Sequence, residues 1–131
     1  MNAELRDLFD AELEKVLADA PQQVRDLIEV VPLVVEDYPS REVMQRMKVR
    51  HRSQLCGLYT GIPLIHRSIQ HSGVPSDVIH IYREGLLGQA RKHDGAISLA
   101  KLRRQIRITV MHELGHHHGM TERELRELGY G

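Results

Sequence analysis

The stretch SLAKLRRQIRITVMHELGHHHG, residues 98–119, continues into MTE and so ends on the run HELGHHHGMTE, residues 112–122. Its apolar residues Leu99, Leu102, Ile106, Val110 and Leu114 recur three or four apart, and no proline interrupts them. That spacing predicts one amphipathic helix. Ser98 is placed as its N-cap, and Gly119 as the residue that lets the backbone turn through a positive φ at its end. Residues four apart share a helical face, so His112 and His116 can present two imidazole nitrogens to one ion. Glu113 is rotated about 100° from His112, beside such an ion rather than on it, where it can take a proton from water. The order is ligand, base, ligand.

With nine histidines in the chain, the bare HExxH pattern is only moderately specific. The glycine three residues after His116 and the carboxylate three residues beyond it, at Gly119 and Glu122, narrow the reading considerably. A turn after the helix brings Glu122 back toward the ion as a third ligand, leaving a fourth position for water, as catalytic zinc requires. Thr121 to Glu124 also spells a capping box, TERE, which gives Glu122 an alternative role in a first helical turn and makes Glu124 the second candidate ligand. His117 and His118 are rotated away from His116. The first is expected to support the ligands or to be exposed, and the second to sit at the helix end. A structural zinc is normally closed by four protein ligands, often cysteines, and Cys56 is the single thiol. An open zinc site is the expectation.

The remaining composition bounds the fold. A chain of 131 residues supports one domain, residues 1–131, around one core. Eighteen basic and eighteen acidic residues balance, so no global attraction to nucleic acid or membrane is implied. A single cysteine suits a reducing compartment, no apolar run approaches the length of a membrane span, and the acidic amphipathic opening is the reverse of a secretory signal. A cytoplasmic location is expected.

Residues 4–20 have helical periodicity in Leu5, Leu8, Phe9, Leu13, Val16 and Leu17, closed by Pro21. Residues 22–28 can extend this as a short helix. EVVPLVVED, residues 29–37, reads as a strand, with Pro32 pointing to an edge or an irregular start. Residues 40–54 carry five Lys and Arg and form either a short helix or a mobile connection. As a nucleic-acid surface they lack aromatic residues for stacking, so a solvated segment is the simpler reading; the same neutrality argument applies to Lys101, Arg103, Arg104 and Arg107. LCGLYTGIPLI, residues 55–65, suggests a strand with a tight turn or hairpin, and VIHIY, residues 78–82, a further strand leading into a Gly-rich connection. Helix, three short strands and a motif helix make an α+β domain.

With these segments in order, the chain resembles the small bacterial zincin-like metallopeptidases. FDAELEKVLADAP, VVPLVVEDYP, LCGLYTGIPL, VIHIYREGLL, RQIRITVMHELGHHHGM and the terminal LRELGY carry the likeness. It implies a compact α+β zincin-like domain in which a small mixed β-sheet packs on the active-site helix, with an N-terminal helix and a short C-terminal one. It also implies zinc held by His112, His116 and the acid at 122. The family pattern commonly has Asp there; Glu122 is longer by one methylene, about 1.5 Å.

The leading functional expectation is zinc-dependent peptide-bond hydrolysis with Glu113 as general base. Tyr59, Tyr82, His80 and Tyr130 are candidates for an oxyanion donor by residue type alone. An extended peptide or protein substrate could add to an edge strand, for which the strand ending at Tyr82 is the candidate. The alternative is a zinc-binding interaction module with little turnover, which a small domain with few residues for substrate pockets accommodates.

Overall fold

The computed structural model describes residues 1–61, 77–119 and 121–127, with the side chains of Glu122 and Leu125 outside that set. Helix α1 spans Ala3–Ala18, capped by the Asn2 side chain, which accepts from the Leu5 amide at 2.8 Å. Helix α2 follows at Gln22–Val30 and strand β1 at Leu33–Glu36. Helix α3, Arg41–Met47, is capped by Ser40, and a single 3-10 turn at Arg52–Gln54 leads into β2, Gly57–Thr60. Strand β3 is Val78–Tyr82, helix α4 Arg83–Gln89, helix α5 Leu99–His117 and helix α6 Glu122–Glu127.

The three strands form one mixed sheet in the order β1-β3-β2, β1 parallel and β2 antiparallel to β3. Ile79 and Ile81, both fully buried, turn one face of β3 toward Leu102, Ile106, Val110 and Leu114 of α5. Phe9 and Leu13 of α1 complete this core. Alternation along the strands sends His80 and Tyr82 to the opposite face, where their rings stack and His80 Nδ1 meets Glu36 Oε1 at 2.8 Å. The fold is the small α+β arrangement that the resemblance implies, with the sheet on the long motif helix.

Three expectations are corrected. The strand of residues 29–37 is shorter: α2 runs through Val30, and pairing begins at Leu33, the Pro32 carbonyl accepting from the Ile79 amide. Pro32 thus sits where β1 begins, at the edge of the sheet among the described residues, with no donor to lose. The Gly-rich connection after Tyr82 is instead α4. Its two glycines cost about 1 kcal/mol each in helix propensity, but Leu86 and Leu87 are buried there, each worth about 1.5–3 kcal/mol, and burial wins. Third, the strand ending at Tyr82 is central, not an edge. Of the strand with a tight turn or hairpin expected over residues 55–65, β2 is seen; residues 62–65 lie outside the described residues. The segment of residues 40–54 takes the helical alternative.

Charge closes the ends of this core. Asp37, just past β1, accepts from Arg6 of α1 at 2.7 Å and from Arg83 of α4 at 3.0 Å, and Arg83 also reaches Asp10 at 2.9 Å. The Arg6 guanidinium, with Arg83 assisting, holds the Asp37 carboxyl below its ordinary value against the opposing effect of burial. A depressed folded-state pKa stabilises the fold at pH above the unfolded value and is lost as pH falls through the folded value. Asp37→Asn is therefore expected to lower stability by about 1 kcal/mol at pH 7, with the gap to the parent closing below about pH 4. Urea titrations at pH 7 and pH 3 check this; a gap of equal size at both would refute the linkage.

Candidate metal centre

Helix α5 begins as its sequence requires, with the Ser98 hydroxyl accepting from the Lys101 amide at 3.3 Å. It ends at His117, and Gly119 follows at φ 80°, its amide bonded to the His116 carbonyl at 2.8 Å. Between these caps the buried stripe Leu102, Ile106, Val110 and Leu114 fixes the helix's rotation against the sheet. That rotation puts Glu113 inward and leaves His112 and His116 partly exposed on the adjoining flank.

His112 Nε2 and His116 Nε2 lie 3.0 Å apart, with ring planes at 77°. An ion bonded to each nitrogen at zinc's usual 2.0–2.1 Å spans separations up to about 4.2 Å, so one ion can touch both. Two imidazole nitrogens held this close also need a proton or a cation between their lone pairs. Glu113 is 7 % exposed. Its Oε1 accepts from the Tyr59 amide at 2.8 Å, and its Oε2 lies 3.8 Å from His112 Nε2. Among the described residues these three side chains form the one cluster of His, Cys, Asp or Glu whose donor atoms could share an ion. The donor set fits a divalent metal.

The carboxylate is fixed by β2. Tyr59 stands opposite Ile79 in the β2–β3 register, while Tyr82 and the Cys56 carbonyl form a bonded pair three residues along. By antiparallel alternation the Tyr59 amide points away from β3, toward α5. Close approach of the helix depends on Gly57: a Cβ there would lie 2.6 Å from Thr109 Cγ2 and 3.4 Å from Glu113 Cγ.

Beyond the expected residues, a buried pair supports the last turn of α5. His117 Nδ1 meets Asp77 Oδ2 at 2.5 Å, and the residues are 5 % and 3 % exposed. The Tyr59 ring sits edge-on to His117, with centroids 5.9 Å apart. His117 is thus a buried support and not an exposed group. Asp77 carried no signal in the sequence, because it lies 40 residues from its partner in an unremarkable segment.

The other candidates separate. Glu122 begins α6, but its side chain lies outside the described residues. Glu124 Oε1 accepts from the Thr121 hydroxyl at 3.0 Å, and the Glu124 amide donates back to that hydroxyl at 3.2 Å, so the capping box forms. His118 caps α5 through its amide, which bonds to the Leu114 carbonyl. His80 and Tyr82 face away from α5, and burial, with Glu36 adding, pushes the Tyr82 phenol up to about 12. Tyr130 lies outside the described residues. No helix among the described residues is long and apolar enough to cross a membrane.

Comparison with known proteins gives one family. A sequence model of the zincin-like metallopeptidases matches residues 9–131, from α1 to the end of the chain. No curated protein matches the chain.

Gly57→Ala is expected to destabilise by about 1–3 kcal/mol, through overpacking against Thr109. Thr109→Ala should return a substantial part of that loss in the double variant, since it removes the colliding methyl. Thermal or urea unfolding of the four proteins measures the coupling; strictly additive effects would mean that the Gly57 contact does not set the helix distance. Asp77→Ala should cost about 1–3 kcal/mol, because it leaves a buried imidazole nitrogen without its hydrogen-bond partner. Unfolding of that variant at an unchanged midpoint would contradict the assignment.

Proposed function

The chain belongs to the zincin-like metallopeptidase family, and from that premise we propose that it is a zinc-dependent peptidase in which Glu113 is the general base. The observation that supports this most is the convergence of His112 and His116 Nε2, 3.0 Å apart, beside a carboxylate anchored by a backbone amide. Zinc held by His112, His116 and Glu122 would polarise a scissile carbonyl and lower the pKa of water at the site. Glu113 then takes the proton from the attacking water and delivers it to the leaving amine. The Tyr59 amide fixes one carboxylate oxygen, so that the other is kept on the side of His112. This orientation is set before substrate arrives, and no rotamer search precedes proton transfer.

An extended peptide is the substrate, and β2 is the strand that receives it. Among the described residues β2 pairs only with β3, and its outer edge runs beside Glu113. Backbone groups of that edge other than the Tyr59 amide, which Glu113 holds, would lay the peptide across the metal-binding flank of α5. The strand ending at Tyr82 cannot do this, since both its edges are occupied.

Metal stoichiometry and cleavage of a peptide library, measured on the parent and on variants, test the reading. Glu113→Gln should retain zinc and lose about 10²–10⁴-fold in kcat. His112→Ala should abolish stoichiometric zinc, and Glu122→Ala should weaken it. Undiminished cleavage by Glu113→Gln would place the base elsewhere, and zinc binding without turnover by the parent would favour an interaction module. Unchanged affinity in Glu122→Ala would move the third ligand, with Glu124 next in line.

A further inference from the structure

The flank of α5 away from His112 and His116 borders an open groove of about 460 Å³. One wall is the end of α1 with the start of α2, including Val16, Leu17 and Val24; the other is α5 from Ala100 to Met111. The groove thus follows eleven helical steps, roughly 16 Å. Its floor is apolar, with Val24 and Val110 at 7 % and 2 % exposure. Three arginines, Arg103, Arg104 and Arg107, line it against one carboxylate, Asp19.

These arginines are not equivalent. Arg103 is committed to the fold, donating to the buried Glu12 of α1 at 3.0 Å. Arg104 and Arg107 are exposed, and among the described residues neither has an acidic side chain within ion-pair distance. Standing three residues apart, they share one helical face and form a short row of positive charge along the groove's rim.

We propose that this groove docks an acidic amphipathic peptide segment of a partner protein. An apolar stripe at i, i+3 or i+4 and i+7 on a helix of about three turns matches the groove's length, while carboxylates beside the stripe meet Arg104 and Arg107. Repeated charge along the rim favours a segment with several carboxylates over a fatty acid, whose one negative charge balances only half of the pair. The charges steer and orient the segment, and the apolar floor supplies most of the affinity. Whether or not the chain cleaves peptides, this surface is separate from the metal-binding flank.

The test uses the full chain carrying Glu113→Gln, which separates docking from turnover. The probe is a fluorescein-labelled twelve-residue helical peptide with Leu along one stripe and Glu on both borders; the control has Lys for each Glu. The acidic peptide should bind at least tenfold more tightly than the basic one and weaken as salt rises. The double variant Arg104→Glu, Arg107→Glu, at exposed positions, should reduce its affinity about tenfold or more with the circular dichroism spectrum unchanged. In amide NMR spectra, shifts should centre on Val16, Val24 and Met111. Equal binding of the two peptides, an unaffected double variant, or shifts elsewhere would overturn the proposal. So would laurate binding in the groove while the acidic peptide fails to bind, which would assign it to a lipid instead.

Discussion

Helix α5 rests against β2 at Gly57, where a side-chain carbon would stand 2.6 Å from Thr109. This closeness lets the Tyr59 amide reach Glu113 at 2.8 Å across 54 residues of chain. The rest of the centre depends on it, because the helix has only one rotation that buries Leu102, Ile106, Val110 and Leu114 together. With that rotation set, Glu113 must enter the protein and the two histidines must stay on the neighbouring flank. A helix lifted by an ångström would retain its own hydrogen bonds and lose the anchor of its carboxylate. The core's packing and the centre's chemistry are therefore the same constraint seen from two sides.

Buried charge is managed by pairing. Glu12, on the inner face of α1, is 3 % exposed and accepts from Arg103 of α5 and from Lys15 of its own helix. Asp77 and His117 face each other beneath the last turn of α5. An unpaired charge at either place would cost several kcal/mol, whereas a pair with good geometry roughly offsets its desolvation. What such pairs supply here is registration: Glu12 aligns α1 along α5, and Asp77 ties the start of β3 to the end of the motif helix. The Asp37 cluster does the same at the opposite end, where β1, α1 and α4 meet.

One helix thus presents three flanks. The first is buried, the second carries His112 and His116, and the third borders the arginine-lined groove. A small domain has few long elements, and a 19-residue helix is its longest continuous rigid surface. Placing chemistry and a separate groove on the same rod gives both a fixed geometry relative to the core without requiring a second domain.

The motif helix, its caps at Ser98 and Gly119, the TERE capping box and the α+β class were all legible in the sequence, because each depends on neighbours within four residues. The periodicity of α1 was legible for the same reason. The sequence misassigned α4, where local glycine propensity opposes the burial of Leu86 and Leu87, and it placed the edge of the sheet on β3. Neither Asp77 nor Gly57 announced itself, since one gains its meaning from His117 and the other from Thr109, both far along the chain. By itself, then, the sequence determined that one helix presents His112, Glu113 and His116 together, since helical periodicity is local. Only the tertiary structure decided which strand flanks them, what anchors Glu113 and which buried acid supports the helix end, because those contacts exist only after distant segments are packed against one another.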